Sequence, residues 1–296
     1  MSQLNNNLDF KLEYMSRLFK KSSHKPIESY VIQRLWHKMD DPDIKFVLQQ
    51  YVSREEGKYA LVDLYLPQLN IAIEVNEPYH LDEKQQERDE KRNTEVSNII
   101  DCEVKCIDCS KSLLDIHEKI DGIIQTIKEK KKELGNGFKP WTGKNEMLPE
   151  TYKATGYLSV NDNNYVETID KICEIFDTEV VHRGFLRAGA ADYNDEYLIW
   201  FPSIYSKEWE NKLIENGLYI IEKNKDENKN IKNIESSLEK KLKKRITFFR
   251  EKDALGFNFY KFVGVFEFDE ERTQNNNAIY WKRICDRFNL KSKDCQ

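Results

Sequence analysis

Two apolar runs, 60–66 (ALVDLYL) and 69–75 (LNIAIEV), flank a Pro67-Gln68 break. Short β-branched and aliphatic runs around such a break predict a β-hairpin. Upstream, Ile27, Tyr30, Val31, Leu35 and Trp36 recur at helical spacing behind Pro26, which predicts a helix over 26–39. Asp41-Pro42-Asp43 breaks the chain, 46–52 (FVLQQYV) reads as a first strand, and 55–58 as the turn into the hairpin. Beyond it come a dense polar helix over 82–96, a strand over 99–108 and a long helix over 110–134. Leu113, Leu114, Ile116, Ile120, Ile123, Ile124 and Ile127 form the apolar stripe of that last helix. Helix, strands, helix, strand, helix predicts an α/β domain over 1–135.

The pattern then changes. Gly135-Asn136-Gly137 is a helix-ending signal, and 136–150 lacks periodicity and reads as a linker. Strand-like runs recur at 180–185, 197–201, 217–222, 245–249 and 257–268. The last, FNFYKFVGVFEF, is nearly all aromatic or β-branched, with Gly264 as the expected bend or bulge. Helices are expected over 165–176 and 234–244, with a polar loop at 226–232, so 151–296 reads as a separate α+β domain.

Composition bounds what such a chain can do. At 296 residues there is room for two domains, and 39% hydrophobic with 12% aromatic residues suffices for packed cores. With 33% charged residues and no apolar run near the roughly 20 residues of a membrane span, a soluble cytoplasmic protein is expected. The start, MSQLNNNLDFKLEY, lacks the basic-then-apolar order of a secretion leader. A net charge of −5 means that nucleic-acid binding would rest on local basic patches, such as Arg88, Lys91 and Arg92. Cys102, Cys106 and Cys109 have no second CxxC or histidine pair at zinc-finger spacing, so free thiols are the expectation for the cysteines.

The hairpin carries acids where a core should not. Asp63 lies between Val62 and Leu64, Glu74 between Ile73 and Val75, and Glu77 follows closely. Acids near a core are costly unless they are paired or hold a metal. Carboxylates on adjacent strands suit a hard cation such as magnesium, which takes oxygen ligands and keeps several waters. His80 is near enough in sequence to handle a proton. Glu28 sits in the first turn of the helix at 26–39, where an acid also complements the helix dipole. Gln49 and Gln50 are polar residues on the first strand, placed to face either this site or an edge surface.

The second half supplies a different constellation. Trp200, Tyr205 and Trp209 stand near Asn211 and Glu222 in sequence. Flat rings beside an amide and an acid are the chemistry that holds a flipped nucleobase, although such rings in a β domain also build cores.

Asp63 followed by Glu74-x-x-Glu77 on the next strand resembles the metal-binding core of the PD-(D/E)xK nuclease superfamily. That pattern's final lysine is absent, and Glu77 with Pro78-Tyr79-His80 is closer to the Vsr-like variant, which leaves the general base open between His80 and Glu77. Three segments extend the resemblance: QQYVSREEGKYALVDLYLPQLNIAIEVNEPYH, IWFPSIYSKEWENKLIENGLYIIEK and ITFFREKDALGFNFYKFVGVFEFD. Together they are similar to the modification-dependent restriction endonucleases typified by AbaSI. The resemblance implies an N-terminal Vsr-like nuclease domain and a C-terminal SRA-like domain. It implies a bacterial homodimer using Mg2+ or Mn2+ on double-stranded DNA that carries 5-hydroxymethylcytosine or its glucosylated form. By it, Asp63, Glu74 and Glu77 would hold the metal, with His80 and Glu28 as further catalytic candidates, and Trp209, Asn211 and Glu222 would line the base pocket. Two other readings stand beside it: a non-catalytic reader with a relic nuclease domain, and a nucleotide hydrolase with a C-terminal lid.

Overall fold

The computed structural model describes residues 2–53, 59–76, 94, 96–98, 101–179, 182–183, 186–187, 189–253 and 255–295. The chain divides into two compact units, Met1–Glu146 and Met147–Gln296.

The first unit opens with α1 (Ser2–Ser22), a helix that the asparagine-rich start conceals in the sequence. Met15 and Leu18 are buried, and the Tyr14 hydroxyl donates to the Phe46 carbonyl at 2.8 Å. Helix α2 (Pro26–Met39) starts on a proline, whose missing N–H costs nothing in a first turn, and ends at Asp40 in the left-handed conformation. Its inward face differs from the expected stripe. Glu28, Ser29, Val31, Ile32, Leu35 and Met39 are buried, whereas Tyr30 is exposed.

Strands β1 (Val47–Ser53), β2 (Tyr59–Leu66), β3 (Ile71–Asn76) and β4 (Glu103–Asp108) form one sheet in that order. The hairpin is as the sequence predicts: β2 and β3 are antiparallel, with Leu64 opposite Ile73 and Leu66 opposite Ile71. β4 joins β3 in parallel, Glu74 against Cys106. Helix α3 (Leu113–Leu134) begins with a reciprocal cap, Ser112 and Asp115 each bonding the other's backbone N–H. Ile116, Ile120, Ile123, Ile124 and Ile127 are buried as expected, at roughly 1.5–3 kcal/mol for each fully buried side chain. Leu113 and Leu114 are not part of that stripe: they lie in the first turn, exposed. The stretch 136–150, expected as a linker, contains a buried anchor. Trp141 is fully buried, its backbone N–H donates to the Asp43 carbonyl at 2.7 Å, and its ring meets Tyr14 edge-on.

The second unit begins with α4 (Pro149–Thr155) and β5 (Tyr157–Ser159). The helix expected over 165–176 is shorter. Tyr165 and Val166 form β6 (Tyr165–Val166), because they pair with Lys261 and Tyr260, and α5 (Ile169–Ile175) starts only after the Thr168 cap. Strands β7 (His182–Arg183) and β8 (Leu186–Arg187) pair with each other. β9 (Ala190–Asp192), β10 (Tyr197–Trp200), β11 (Trp209–Ile214) and β12 (Tyr219–Asn224) follow. The next helix, α6 (Glu227–Leu238), occupies the expected polar loop instead of 234–244. Asp226 caps it by accepting the Lys229 N–H, and the fully buried Asn230 accepts the Asn224 N–H at 3.0 Å. A cap and one buried amide outweigh the polar composition here.

Strand β13 (Lys244–Lys252) runs into β14 (Asn258–Phe268), followed by α7 (Glu270–Gln274), β15 (Ile279–Cys285), β16 (Arg287–Asn289) and β17 (Asp294–Cys295). The main sheet runs β11-β12-β15-β14-β13-β10-β9, with β6 also on β14. Gly264 is the expected bulge: at φ +114° it sits where the β13–β14 register shifts, and an added Cβ would lie 2.6 Å from Arg283 Cδ and 2.9 Å from the Cys285 carbonyl oxygen. Trp200, Ile220, Phe249, Val263, Phe266, Ile279 and Trp281 make a core cluster of this unit. The free-thiol expectation fails at two positions. Cys285 and Cys295 form a disulfide, because the chain turns back through β16 and brings their Cα atoms to 6.1 Å.

Candidate functional site: a carboxylate cluster and an amide–acid pair

In the first unit the expected acids gather around one hairpin. One Asp63 oxygen accepts the Val75 N–H at 3.0 Å, which ties the side chain of β2 to the backbone beside Glu74 on β3. The β2–β3 pairing ends at Leu64 with Ile73, and Asp63 and Glu74 are the residues next to that last pair on their two strands. Glu74 is buried and Asp63 half-buried. Glu28 arrives from α2, also buried. Lys25, just before that helix, places its ammonium 2.6 Å from Glu28 Oε2 and 3.9 Å from Asp63 Oδ1. The three elements therefore bring Glu28, Asp63 and Glu74 to one end of the sheet. Glu77 and His80 lie outside the described residues, as do Arg88, Lys91 and Arg92.

The sequence underrated two residues here. Gln49 donates its amide N–H to the other Asp63 oxygen at 3.3 Å and has φ +50°. A left-handed non-glycine residue at a cluster of acids marks a constrained position. Lys25 has no helical or strand pattern to reveal it; only the fold brings it to Asp63. Gln50 points elsewhere, into the core, with its amide on the Tyr51 carbonyl. Cys102 lies close enough to Glu74 to feel its charge, but burial dominates and pushes its thiol up to about 11, so it stays protonated and unreactive near neutral pH.

Asp63, Glu74 and the Gln49 side-chain oxygen are hard oxygen donors on adjacent strands. Their chemistry fits a small divalent cation that keeps part of its water shell. Among the described residues, no group of three or more acids, histidines or cysteines is placed to hold a metal ion. Asp63 and Glu74 supply two carboxylates of the right chemistry, and the third expected acid, Glu77, lies outside the described residues.

The second unit pairs the other candidates directly. Asn211 on β11 stands opposite Glu222 on β12. Trp209, two residues before Asn211 on the same strand, shares their sheet face. The Asn211 amide N–H donates to the Ser203 carbonyl at 3.1 Å, which fixes which end is nitrogen, since a carbonyl only accepts. Its oxygen is buried and has no partner among the described residues. Glu222 is held through one oxygen, Oε2, which accepts from Arg245 at 2.8 Å and from the Trp281 indole at 3.0 Å. The Arg245 guanidinium lies over the rings of Trp281 and Trp200, 3.4 and 4.2 Å from their centroids. Burial pulls the Arg245 pKa down and the Glu222 charge pulls it back, and the pair sits in a mostly buried, aromatic-walled slot. Trp200 is thus a wall for Arg245 and part of the core. Arg245 and Trp281, 34 and 70 residues from Asn211 along the chain, are the members that spacing alone could not find.

The acids of the β2–β3 hairpin and the amide–acid pair of the second unit are the two candidate sites, and comparison with known proteins gives the class, a two-part restriction endonuclease. The model of the PvuRts1I-like restriction endonuclease N-terminal domain matches residues 12–145, and that of the SET and RING associated (SRA) domain matches residues 151–290. A solved structure, the 5-hydroxymethylcytosine-specific restriction enzyme AbaSI, aligns with 32% identity and a TM-score of 0.60 over 89% of this chain and 92% of that one. The chain belongs to the PvuRts1I-like, modification-dependent restriction endonucleases, with an N-terminal nuclease domain and a C-terminal SRA-like DNA-recognition domain. The DNA-recognition domain of the cytosine modification-dependent restriction endonuclease LpnPI aligns at a TM-score of 0.26 and 10% identity over 47% of this chain and 81% of that one, too low to carry an argument. No curated protein matches. Among the described residues, no helix is long and apolar enough to cross a membrane.

Proposed function

We propose that this chain recognises 5-hydroxymethylcytosine, or its glucosylated form, in double-stranded DNA and cuts the backbone by divalent-metal-assisted hydrolysis. The observation that carries the cutting half is the position of Asp63 and Glu74 at the end of the β2–β3 pairing, where the Val75 N–H, next to Glu74, donates to Asp63. Asp63, Glu74 and Glu77 would hold Mg2+ or Mn2+, which when bound polarises a phosphoryl oxygen and lowers the pKa of water. Gln49 keeps one Asp63 oxygen oriented, and the Val75 amide fixes the other. The buried Glu28 adds negative charge from the helix side. His80 or Glu77 takes the proton of the attacking water.

The recognition half places a flipped cytosine against Asn211 and Glu222, with Trp209 stacking on the ring. The cytosine exocyclic amine has two N–H donors; the Asn211 oxygen and the second Glu222 oxygen are acceptors on neighbouring strands. Because the pocket residues belong to 151–296 and the acids to 1–135, the cut falls at a distance from the modified base. One metal site cuts one strand, so a double-strand break requires a homodimer acting in the bacterial cytoplasm.

The test is cleavage of three otherwise identical duplexes carrying cytosine, 5-hydroxymethylcytosine or the glucosylated base, each with magnesium and with chelator. Magnesium-dependent cutting of the two modified duplexes alone is expected. Equal cutting of all three would remove the pocket assignment and leave the nuclease site. Binding of modified DNA without cutting of any duplex would replace the enzyme with a non-catalytic reader.

A further inference from the structure

The acid cluster contains a cation of its own. The Lys25 ammonium bridges Glu28 from α2 and Asp63 from β2, at 2.6 and 3.9 Å. The two carboxylates are set in the structure, with side chains 6% and 17% exposed, while the lysine side chain is 46% exposed. Its backbone is equally defined. Preceding Pro26 confines it to extended conformations, its N–H donates to the Ser22 carbonyl at 2.9 Å, and its carbonyl accepts the Ser29 N–H at 2.8 Å. Lys25 occupies the cap position of α2 yet makes no side-chain capping bond, and its ammonium lies against Glu28 and Asp63.

We propose that Lys25 is the resident counter-ion of the carboxylate cluster, displaced when a divalent cation binds. This rests on the metal-site reading above. The physical asymmetry supports the exchange. A compact ammonium on a flexible four-carbon stem brings one charge and no coordination geometry. A divalent ion brings two charges and shorter, ordered bonds to Asp63, the acid that the two cations would share. Glu28 and Asp63 carry like charges in a poorly solvated site, and a cation between them offsets that repulsion. Lys25 therefore keeps the acids in place before metal arrives and sets a threshold that the metal must exceed. It is a positioning residue, acting through Glu28 and Asp63.

The experiment titrates Mg2+ alone into the full chain, without DNA, by calorimetry, comparing wild type with Lys25→Met and Lys25→Arg. Removing a competing, partly exposed ion pair should tighten Mg2+ binding about two- to fivefold in Lys25→Met, whereas Lys25→Arg should stay near wild type. Melting adds a second readout. Lys25→Met should melt lower than wild type in chelator and converge with it in saturating Mg2+. A purely structural lysine would lower melting equally in both conditions and leave Mg2+ affinity unchanged, and that result overturns the proposal. If wild type itself binds no Mg2+, and Asp63→Ala changes nothing, the metal-site reading fails with it. Wild type that binds Mg2+ and cuts, beside an unaltered affinity in Lys25→Met, sinks the counter-ion alone.

Discussion

The two units treat their buried acids in opposite ways. In the first, Glu28 and Asp63 share a half-exposed lysine that can leave. In the second, Glu222 is paired with an arginine enclosed by Trp200 and Trp281, and the indole of Trp281 bonds the same oxygen. A loosely neutralised acid is suited to exchanging partners, as a metal site must. An acid locked through one oxygen is suited to presenting its other oxygen at a fixed angle, as a reader must. The bulk of each counter-ion, more than the acid itself, separates the two uses.

The sharpest way to break this comparison is to remove one acid from each side. Asp63→Ala should abolish cleavage, by about a thousandfold or more, since several kcal/mol of charge stabilisation disappear, while binding of modified DNA in filter assays stays at the wild-type level. A parallel loss of binding would mean that the hairpin also serves recognition. On the other side, Arg245→Met should destabilise the second unit by roughly 1–3 kcal/mol, because the mostly buried Glu222 loses its cation and keeps only the Trp281 indole. The double change Glu222→Leu with Arg245→Met should recover most of that stability in chemical denaturation and still fail to prefer modified DNA. If the double variant keeps its preference, Glu222 is a structural acid only. Asn211→Leu removes a buried orphan acceptor, so it should leave melting near wild type or above it while weakening binding to modified DNA by about tenfold or more.

Smaller effects test the surrounding frame. Burial pulls the Lys261 ammonium down to about 8, against the upward pull of Glu251 and Asp253. Its pKa is lower folded than unfolded, so the unfolded chain binds the extra proton between about pH 8 and 10. The burial penalty is fully present below pH 8 and fades as pH rises, so the advantage in melting temperature of Lys261→Met over wild type should shrink from pH 7 to pH 10. The smallest effect expected is at the α3 cap, where Ser112→Ala should cost about 1 kcal/mol by thermal unfolding and leave cleavage unchanged.

Local signals were decisive wherever neighbouring residues carry the physics. The Pro67-Gln68 hairpin, the proline start of α2, the isoleucine stripe of α3 and the Gly264 bulge are all written in short spans, because strand alternation, helical period and positive φ depend on nearby residues alone. Acids wedged between aliphatic residues at Asp63 and Glu74 were legible for the same reason, as was the pairing-compatible spacing of Trp209 and Asn211. What only the tertiary structure decided is who neutralises whom. Lys25 meets Asp63 across 38 residues of chain, Arg245 meets Glu222 across 23, and Cys285 finds Cys295 through a turn of short strands. The inward rotation of Glu28 and the start of α6 at the Asp226 cap were likewise settled by packing and by buried Asn230. Charge pairing and burial act through space with no fixed period along the chain, so the sequence by itself displayed the acids, and the fold chose their partners.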